Sequence, residues 1–397
     1  MSIDNPLFEG RLIRLGPIDH EKDPEIVSRW THNAGFMRMM YTDPRASALG
    51  LAGEEKNWRN WKSPMNENIS LPNAPSIPGL TFRCFRGEAD YPHMAALISA
   101  CKLADGVERS TNVDDIARTY RHLENCDPHT DVLFAEMDSQ VIAYGRIWWD
   151  DLLDGVRLYH PFGFLHPDWR HKGIGTSMWE AAERRAREIA AGHPKETPKF
   201  FQVEPFDSEK DLVALLESHA YRPARYETHM LRDMSEPFLE APMPPGLEVR
   251  PVKMEHVRPI FEASNEAFRD HWGSRDESEE EFKSQLESPE FHPELWKVVW
   301  DGGQVASVIH NFVDEKENVE YQRKRGYTEG ICTRRPWRKM GLARSLLVQS
   351  MKMFKELGMT ETALSVDSEN LSGALRLYES VGYRKVKQQI NYRKPLE

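Results

Sequence analysis

The sequence predicts an α/β protein containing two copies of one domain, each a mixed, twisted sheet flanked by helices. Three observations carry that prediction. Short motifs recur in order: PGLTFR at 78–83 returns as PGLEVR at 245–250, RHKGIG at 170–175 as RKMGLA at 338–343, and LLESHAY at 215–221 as LYESVGY at 377–383. Their offsets of 167, 168 and 162 residues point to a tandem duplication of a unit of ordinary domain size. Within each copy, alternating apolar stretches give way repeatedly to apolar residues at helical spacing. A segment at 235–246 with four prolines and a glycine suits an extended linker better than any packed element. The expected organisation is an extension over 1–75, a first copy over 78–233, a linker over 234–246 and a second copy over 247–395.

The elements of the second copy follow in order. Residues 247–250 read as a strand and 254–268 as a helix. Residues 295–300 and 305–312 read as strands joined by Asp301-Gly302-Gly303, a hairpin signal. A short strand is expected at 330–333. Leu342, Leu346, Leu347, Phe354 and Leu357 then recur at helical spacing up to Gly358, a C-terminal cap. A strand at 362–366, a helix at 374–381 and a polar strand at 384–393 complete the copy. In the first copy Ile174, Met178, Ala182, Ala186 and Ile189 line the matching long helix. The extension begins with a strand-like alternation at 10–17 and a helical pattern around Ile26, Val27 and Trp30, and is too short for a third copy.

Composition excludes several classes. The 397 residues carry 52 Lys plus Arg against 63 Asp plus Glu, a net charge of −11, which argues against a partner bound through general phosphate neutralisation; no nucleic-acid partner is expected. Cys84, Cys101, Cys126 and Cys332 lie far apart without a CxxC pair, so neither a disulfide framework nor a zinc ribbon is expected, and a reducing, cytoplasmic setting fits. No apolar run reaches the roughly 18–20 residues a membrane span needs, and no membrane partner is expected. His160 and His166 lack Cys or His partners at ligand spacing, so no metal is expected.

The most informative feature is a strand, a turn of pattern R-x-x-G-x-G/A, and a helix. A helix N-terminus presents unpaired N–H groups and partial positive charge, and so receives phosphate. Glycine at the turn lets the backbone approach the anion closely. Arg338, Lys339 and Arg344 add positive charge around the second turn, and Arg170, His171 and Lys172 around the first. No P-loop pattern occurs, and the third glycine of a dinucleotide fingerprint is missing.

Together with the opening His166-Pro167 or Arg335-Pro336, the following helix, and Asn370 preceding Ala374-Leu-Arg-Leu-Tyr378, this constellation resembles the GNAT superfamily of acyl-CoA-dependent acetyltransferases. The resemblance covers both copies. Their pairing is similar to tandem enzymes of the mycothiol synthase type, and residues 10–30 resemble the start of a RimJ/RimL-type domain. It implies two tandem GNAT folds with acetyl-CoA as cosubstrate. The pyrophosphate would lie on the backbone of Arg338, Lys339, Met340, Gly341, Leu342, Ala343 and Arg344. Ile331, Cys332 and Thr333 would pair with the pantetheine arm, and Asn370 would face the cosubstrate, though it stands four residues before Ala374 where three is commoner. In the first copy the matching loop is Arg170, His171, Lys172, Gly173, Ile174 and Gly175.

The chemistry fits. A primary amine with a pKa of about 10 must lose a proton before it attacks. Glu329, beside the strand leading into the loop, is the candidate base and Tyr378 the candidate acid for the departing thiolate. No covalent enzyme intermediate is needed, so Cys332 need not be a nucleophile. The copies are not equivalent: Pro161 stands where the second has Glu329, and Leu216 where it has Tyr378. The expectation is that the second copy is catalytic while the first binds CoA or supports the fold. Asp270-His271-Trp272-Gly273 is placed to shape an acceptor pocket or to end a helix, and the acidic run 276–281 to start one. The expected acceptor is the amine of a small molecule; a protein N-terminus or lysine, and a CoA-responsive regulatory protein without turnover, are the alternatives.

Overall fold

The computed structural model describes residues 69–397 apart from Arg109 and Leu371, so the strand and helix expected at 10–30 lie outside the described residues. The first half contributes β1 (Leu80–Cys84), β2 (Val132–Met137), β3 (Gln140–Asp151), β4 (Arg157–Leu165), β5 (Lys199–Val203) and β6 (Arg222–Asp233). The second contributes β7 (Glu248–Val249), β8 (Lys297–Asp301), β9 (Gln304–Phe312), β10 (Arg325–Thr333), β11 (Glu361–Asp367) and β12 (Arg384–Pro395). Ten helices accompany them among the described residues: α1 (Tyr91–Asp105), α2 (Val113–Arg121), α3 (Pro128–Asp131), α4 (Ile174–Ala191), α5 (Lys210–Ser218), α6 (Met254–Phe268), α7 (Glu279–Leu286), α8 (Glu315–Glu320), α9 (Leu342–Glu356) and α10 (Ala374–Ser380).

The strands do not form two sheets. They form one, in the order β1-β2-β3-β4-β5-β12-β6-β11-β10-β9-β8-β7. Each half has given its last strand to the other. β6 pairs antiparallel with β11 over seven residues, Glu361 opposite Asp233 through Asp367 opposite Glu227, while β12 pairs with β5 from Tyr392 opposite Val203. β6 and β12 pair with each other along the middle. The hydrophobic clusters follow the exchange. Met230 of β6 is buried among Leu346, Phe354, Leu364 and Tyr378 of the second half, and Tyr392 of β12 among Tyr159, Phe201, Leu216 and Tyr221 of the first. Burying one such side chain contributes about 1.5–3 kcal/mol. Ion pairs reinforce it: Arg225 of β6 grips Asp367 with two contacts of 2.8 Å, and Lys394 of β12 lies 2.8 Å from Glu183 of α4.

Most elements form where the patterning places them, α6 and the start of α9 to the residue. The strand expected at 247–250 shortens to two residues at the sheet edge. The one expected at 330–333 begins five residues earlier, because Arg325, Gly326 and Glu329 mask its alternation. Gly326 is required there: a Cβ would fall 2.4 Å from the Phe354 ring of α9. The acidic run at 276–281 starts α7, where Ser278 and Glu281 cap reciprocally and Arg275 engages Glu281. Trp148 stacks on His160 at 5.0 Å.

The placement of the parallel pairs matters for function. β10 and β11 pair only over three residues, Arg325–Tyr327 with Glu361–Ala363, and then splay apart; β4 and β5 do the same over Arg157–Tyr159. Each splay opens beside the turn that begins a long helix.

Candidate active site

The two turns have the same construction. Gly341 caps α9 with φ of 83°, and Gly173 caps α4 with φ of 82°; neither helix receives a side-chain cap. Lys339 and His171, two residues earlier, also take positive φ. Such a turn leaves the first N–H groups of the helix facing outward, which is the geometry that receives phosphate. Leu342 and Ile174 are buried beneath the turns and anchor them. Gly175 is not demanded by crowding, since a Cβ would meet Leu165 at an ordinary 3.5 Å, and Ala343 stands at the matching position.

The arginines of the two turns do something other than the sequence suggests. Arg338 donates to the Thr333 carbonyl at 2.9 Å, to Asp270 at 2.7 Å and to the Ala267 carbonyl at 3.1 Å. Arg335 shares Asp270, and the paired guanidinium groups hold its carboxyl well below the usual carboxylate range. Arg170 likewise grips Asp105 at the end of α1, at 2.6 and 2.8 Å. Each arginine is therefore a strut between the turn and the first helix of its half. Asp270 is the strut's other end. Trp272 lies under Arg225 and Arg393, 4.2 Å from the latter. Lys172 folds over Trp169 at 4.3 Å and donates to the Asp168 carbonyl. His171 reaches Asp211 at 3.2 Å, and Arg344 donates to Ser380 at 3.4 Å. Met340 is exposed.

The second half has a feature the first lacks. Between Glu329 and Cys332 the register of β10 against β9 slips: Glu329 faces His310, and Cys332, three residues on, faces Val308, only two residues away. The extra residue is a β-bulge, and Gly330 within it has φ of +57°. A Cβ at Gly330 would sit 2.6 Å from His310 Nδ1. A bulge takes backbone polar groups out of the ladder and turns them toward the open face. β4 pairs with β3 without such a slip, and Phe162 occupies the position matching Gly330.

Glu329 lies at the bulge and spans the splay, accepting the Ser365 N–H of β11 at 3.1 Å. Burial first, and then the negative charge of Glu227, push its carboxyl up to about 8. Glu227 belongs to β6, the strand given by the first half. His310 packs against Trp296 with ring centroids 4.4 Å apart and planes tilted by 45°, and burial pushes its imidazole down to about 4, so it is neutral near pH 7. The sequence reading missed His310; the available signal was a histidine on the strand beside Glu329. Tyr378 is buried in α10, its phenol pushed up by burial and then by Glu329, so it stays protonated. Burial pushes the Cys332 thiol up to about 12, which removes it as a nucleophile. Its carbonyl accepts the Ser307 hydroxyl at 2.7 Å, and that hydroxyl lies 2.8 Å from Thr333. Ile331 is half-buried within the bulge. The Asn370 side-chain oxygen is occupied by the Ser372 backbone N–H and hydroxyl in the turn before α10.

Two cavities adjoin these features. A cleft of about 320 Å³ in the first half runs along the turn at Arg170, His171, Gly173 and Gly175, between α4 and α5. A larger cavity of about 680 Å³ lies where the halves meet, with Glu329, Gly330, His310 and Trp296 on one side and Tyr120, Arg146 and Phe162 on the other.

This geometry defines an acyltransferase of two related halves. The acetyltransferase (GNAT) family matches residues 100–195 and 257–383, more than half of the chain, and the chain belongs to that family. It is an acyl-CoA-dependent N-acetyltransferase with acetyl-CoA as cosubstrate. No curated protein matches it. Among solved structures it is similar to a GCN5-related N-acetyltransferase from Sphaerobacter thermophilus, 25% identical with a TM-score of 0.61, over 83% of this chain and 98% of that one. It also shares its fold with a tandem GNAT protein from the clavulanic acid biosynthesis pathway, 13% identical with a TM-score of 0.57, over 80% of this chain and 99% of that one. No helix among the described residues is long and apolar enough to cross a membrane.

Proposed function

We propose that the second half is the catalytic unit, transferring acetyl from acetyl-CoA to the amine of a small molecule, and that the first half is non-catalytic. The observation that carries this reading is the bulge at Glu329–Cys332 with Glu329 beside it, set against Pro161, Phe162 and an unbroken ladder in the first half. When bound, acetyl-CoA supplies an acetyl group activated as a thioester. The uncapped N–H groups of Leu342, Ala343 and Arg344 receive its phosphates, and Arg338, committed to Asp270, holds the turn that presents them. Glu329 takes the proton of the incoming ammonium. The nitrogen–carbon bond then forms as the carbon–sulfur bond breaks, with a backbone N–H freed at the bulge donating to the carbonyl oxygen as charge develops there. Tyr378 gives its proton to the leaving sulfur, the second proton shed by the acylated nitrogen restores the phenol, and no bond to the enzyme is made. The place of Glu329 in the lining of a cavity of about 680 Å³ supports a small acceptor over a protein chain.

The test is thiol release from acetyl-CoA against a panel of small amines and peptides, with the product identified by mass spectrometry. Release with a small amine, lost in Glu329→Gln, is expected. Release only with peptides would overturn the acceptor class, and a stabilising shift with acetyl-CoA but no release with any acceptor would overturn the catalytic reading. Native mass spectrometry also decides the role of the first-half cleft: two CoA molecules per chain make it a second, non-catalytic site, and one leaves it structural.

A further inference from the structure

The cavity between the halves is electrically divided. Its second-half wall carries Glu290, Asp314 and Glu329, and burial together with Glu317 and Glu290 raises the Asp314 carboxyl above its ordinary value. Its first-half wall carries Arg118, Arg146 and one carboxylate, Asp115. Arg118 is paired with Asp115 at 3.3 Å. Arg146 has no carboxylate within ion-pair distance among the described residues. Its neighbours are rings: Trp148 at 4.7 Å, Tyr120 at 5.7 Å and Phe162 at 5.9 Å. Its Nε is buried without a hydrogen-bond partner, and so is the Tyr120 hydroxyl beside it. Leaving such donors unmade inside a protein is costly, more so for a charged group, and buried donors are ordinarily paired. Arg146 and Tyr120 line the same cavity as the proposed base, together with Phe162, Phe312 and Trp296.

We infer that this cavity selects an acceptor carrying a carboxylate as well as its amine, the carboxylate received by Arg146 and Tyr120 of the first half while the amine lies at Glu329 of the second. A guanidinium with its donors free binds a carboxylate in paired hydrogen bonds, and the acids opposite favour an ammonium. The halves thus share one acceptor site. This inference rests on the assignment of Glu329 as the base, and its test separates the two.

Matched pairs of amines differing only in a carboxylate, such as phenylalanine with phenethylamine and ornithine with putrescine, are compared by thiol release and by calorimetric binding in the presence of CoA. The carboxylated member of a pair is expected to bind and turn over with the lower KM. Arg146→Gln raises that KM roughly 10- to 100-fold, with a much smaller effect on the KM of the parent amine. Arg146→Lys recovers part of the loss, and Tyr120→Phe shows a smaller effect in the same direction. Carboxylated acceptors that bind through Arg146 without turnover leave this site standing and overturn the catalytic reading. Turnover of parent amines at least equal to that of their carboxylated partners, indifferent to Arg146→Gln, overturns the site and leaves the catalytic reading standing. No binding of any carboxylated amine also overturns the site.

Discussion

Replacing Glu227 by Gln changes the base without touching it. Glu329 has its carboxyl pushed up to about 8, burial being the largest cause and the charge of Glu227 the next. At about pH 7 a carboxyl with that pKa is ionised only about one part in ten, so about nine molecules in ten hold a protonated base. Glu227→Gln removes the neighbouring charge and leaves the burial, so the pKa falls without reaching its ordinary value. A fall of about one unit raises the ionised fraction at about pH 7 to roughly a half, a gain of about fivefold in kcat, and full ionisation sets a ceiling of about tenfold. The gain disappears above about pH 9, where the parent base is already ionised, and a slightly lower plateau there reflects the weaker base. The assay is kcat for thiol release at saturating acceptor across the pH range, beside Glu329→Gln as the variant without a base. An unmoved midpoint in Glu227→Gln refutes the coupling. A midpoint near 4 that persists in Glu329→Gln would transfer the role to His310, whose imidazole burial pushes down to about 4. The same shift has a stability signature. A carboxyl raised from 4.5 to about 8 binds its proton more tightly folded than unfolded, so its contribution is full below about 4.5 and is lost as pH rises through about 8. Glu329→Gln therefore gains stability relative to the parent over that window, read by denaturant melts at several pH values.

Tyr378→Phe is expected to lower kcat roughly 10²-fold with little change in the KM for acetyl-CoA, because the ring stays in its cluster and only the proton donor is lost. Gly330→Ala forces a side chain into φ of +57° and against His310, costing about 1–3 kcal/mol in urea melts and most of the activity; full activity would show the bulge to be incidental. Met230→Ala, on the exchanged strand, is expected to cost about 2–5 kcal/mol and to destabilise the second half, where its side chain is buried, as followed by hydrogen exchange in α9. Asp270→Asn releases Arg335 and Arg338 from their shared carboxylate and is expected to raise the KM for acetyl-CoA while leaving kcat at saturation near the parent value; an unchanged KM would show the strut to be dispensable.

Much of this was legible in the sequence because it depends on local periodicity. Leu342, Leu346 and Phe354 mark α9 by their spacing alone, and the repeated R-x-x-G-x-G/A places both turns before their helices. The strand exchange was not legible. The alternation in β6 and β12 reports that each is a strand, but the same pattern satisfies pairing with its own half or with the other, and register is decided by partners distant in the chain. The bulge was half legible: Gly330 is visible, yet only the slip of Cys332 onto Val308 shows that a residue has been inserted. The pairing of the arginines was hidden for a related reason. A guanidinium beside such a turn reads as added positive charge, and its pairing with Asp105 or Asp270, 65 and 68 residues away, leaves no local trace. Glu227 and Arg146 were invisible as site residues, since both lie in the half that lacks the candidate base and acid.

The exchange also gives the half proposed to be non-catalytic a physical part in its twin. Separating the chain at 235–246 would strip β11 of β6 and β5 of β12, exposing two sheet edges at the centre of the protein and unburying Met230 and Tyr392. Neither half closes its own core. Because β6 passes beside β11, the carboxylate that raises the base arrives on a strand encoded about a hundred residues before Glu329. The first-half wall at Arg146 and Tyr120 then closes the cavity that Glu329 opens onto. A duplicated domain that had merely lost its function could be trimmed without affecting its twin. Here Pro161 and Leu216 stand in place of a base and an acid, yet β3, β6 and α2 still contribute a tuned carboxyl, a paired central sheet and one side of the cavity.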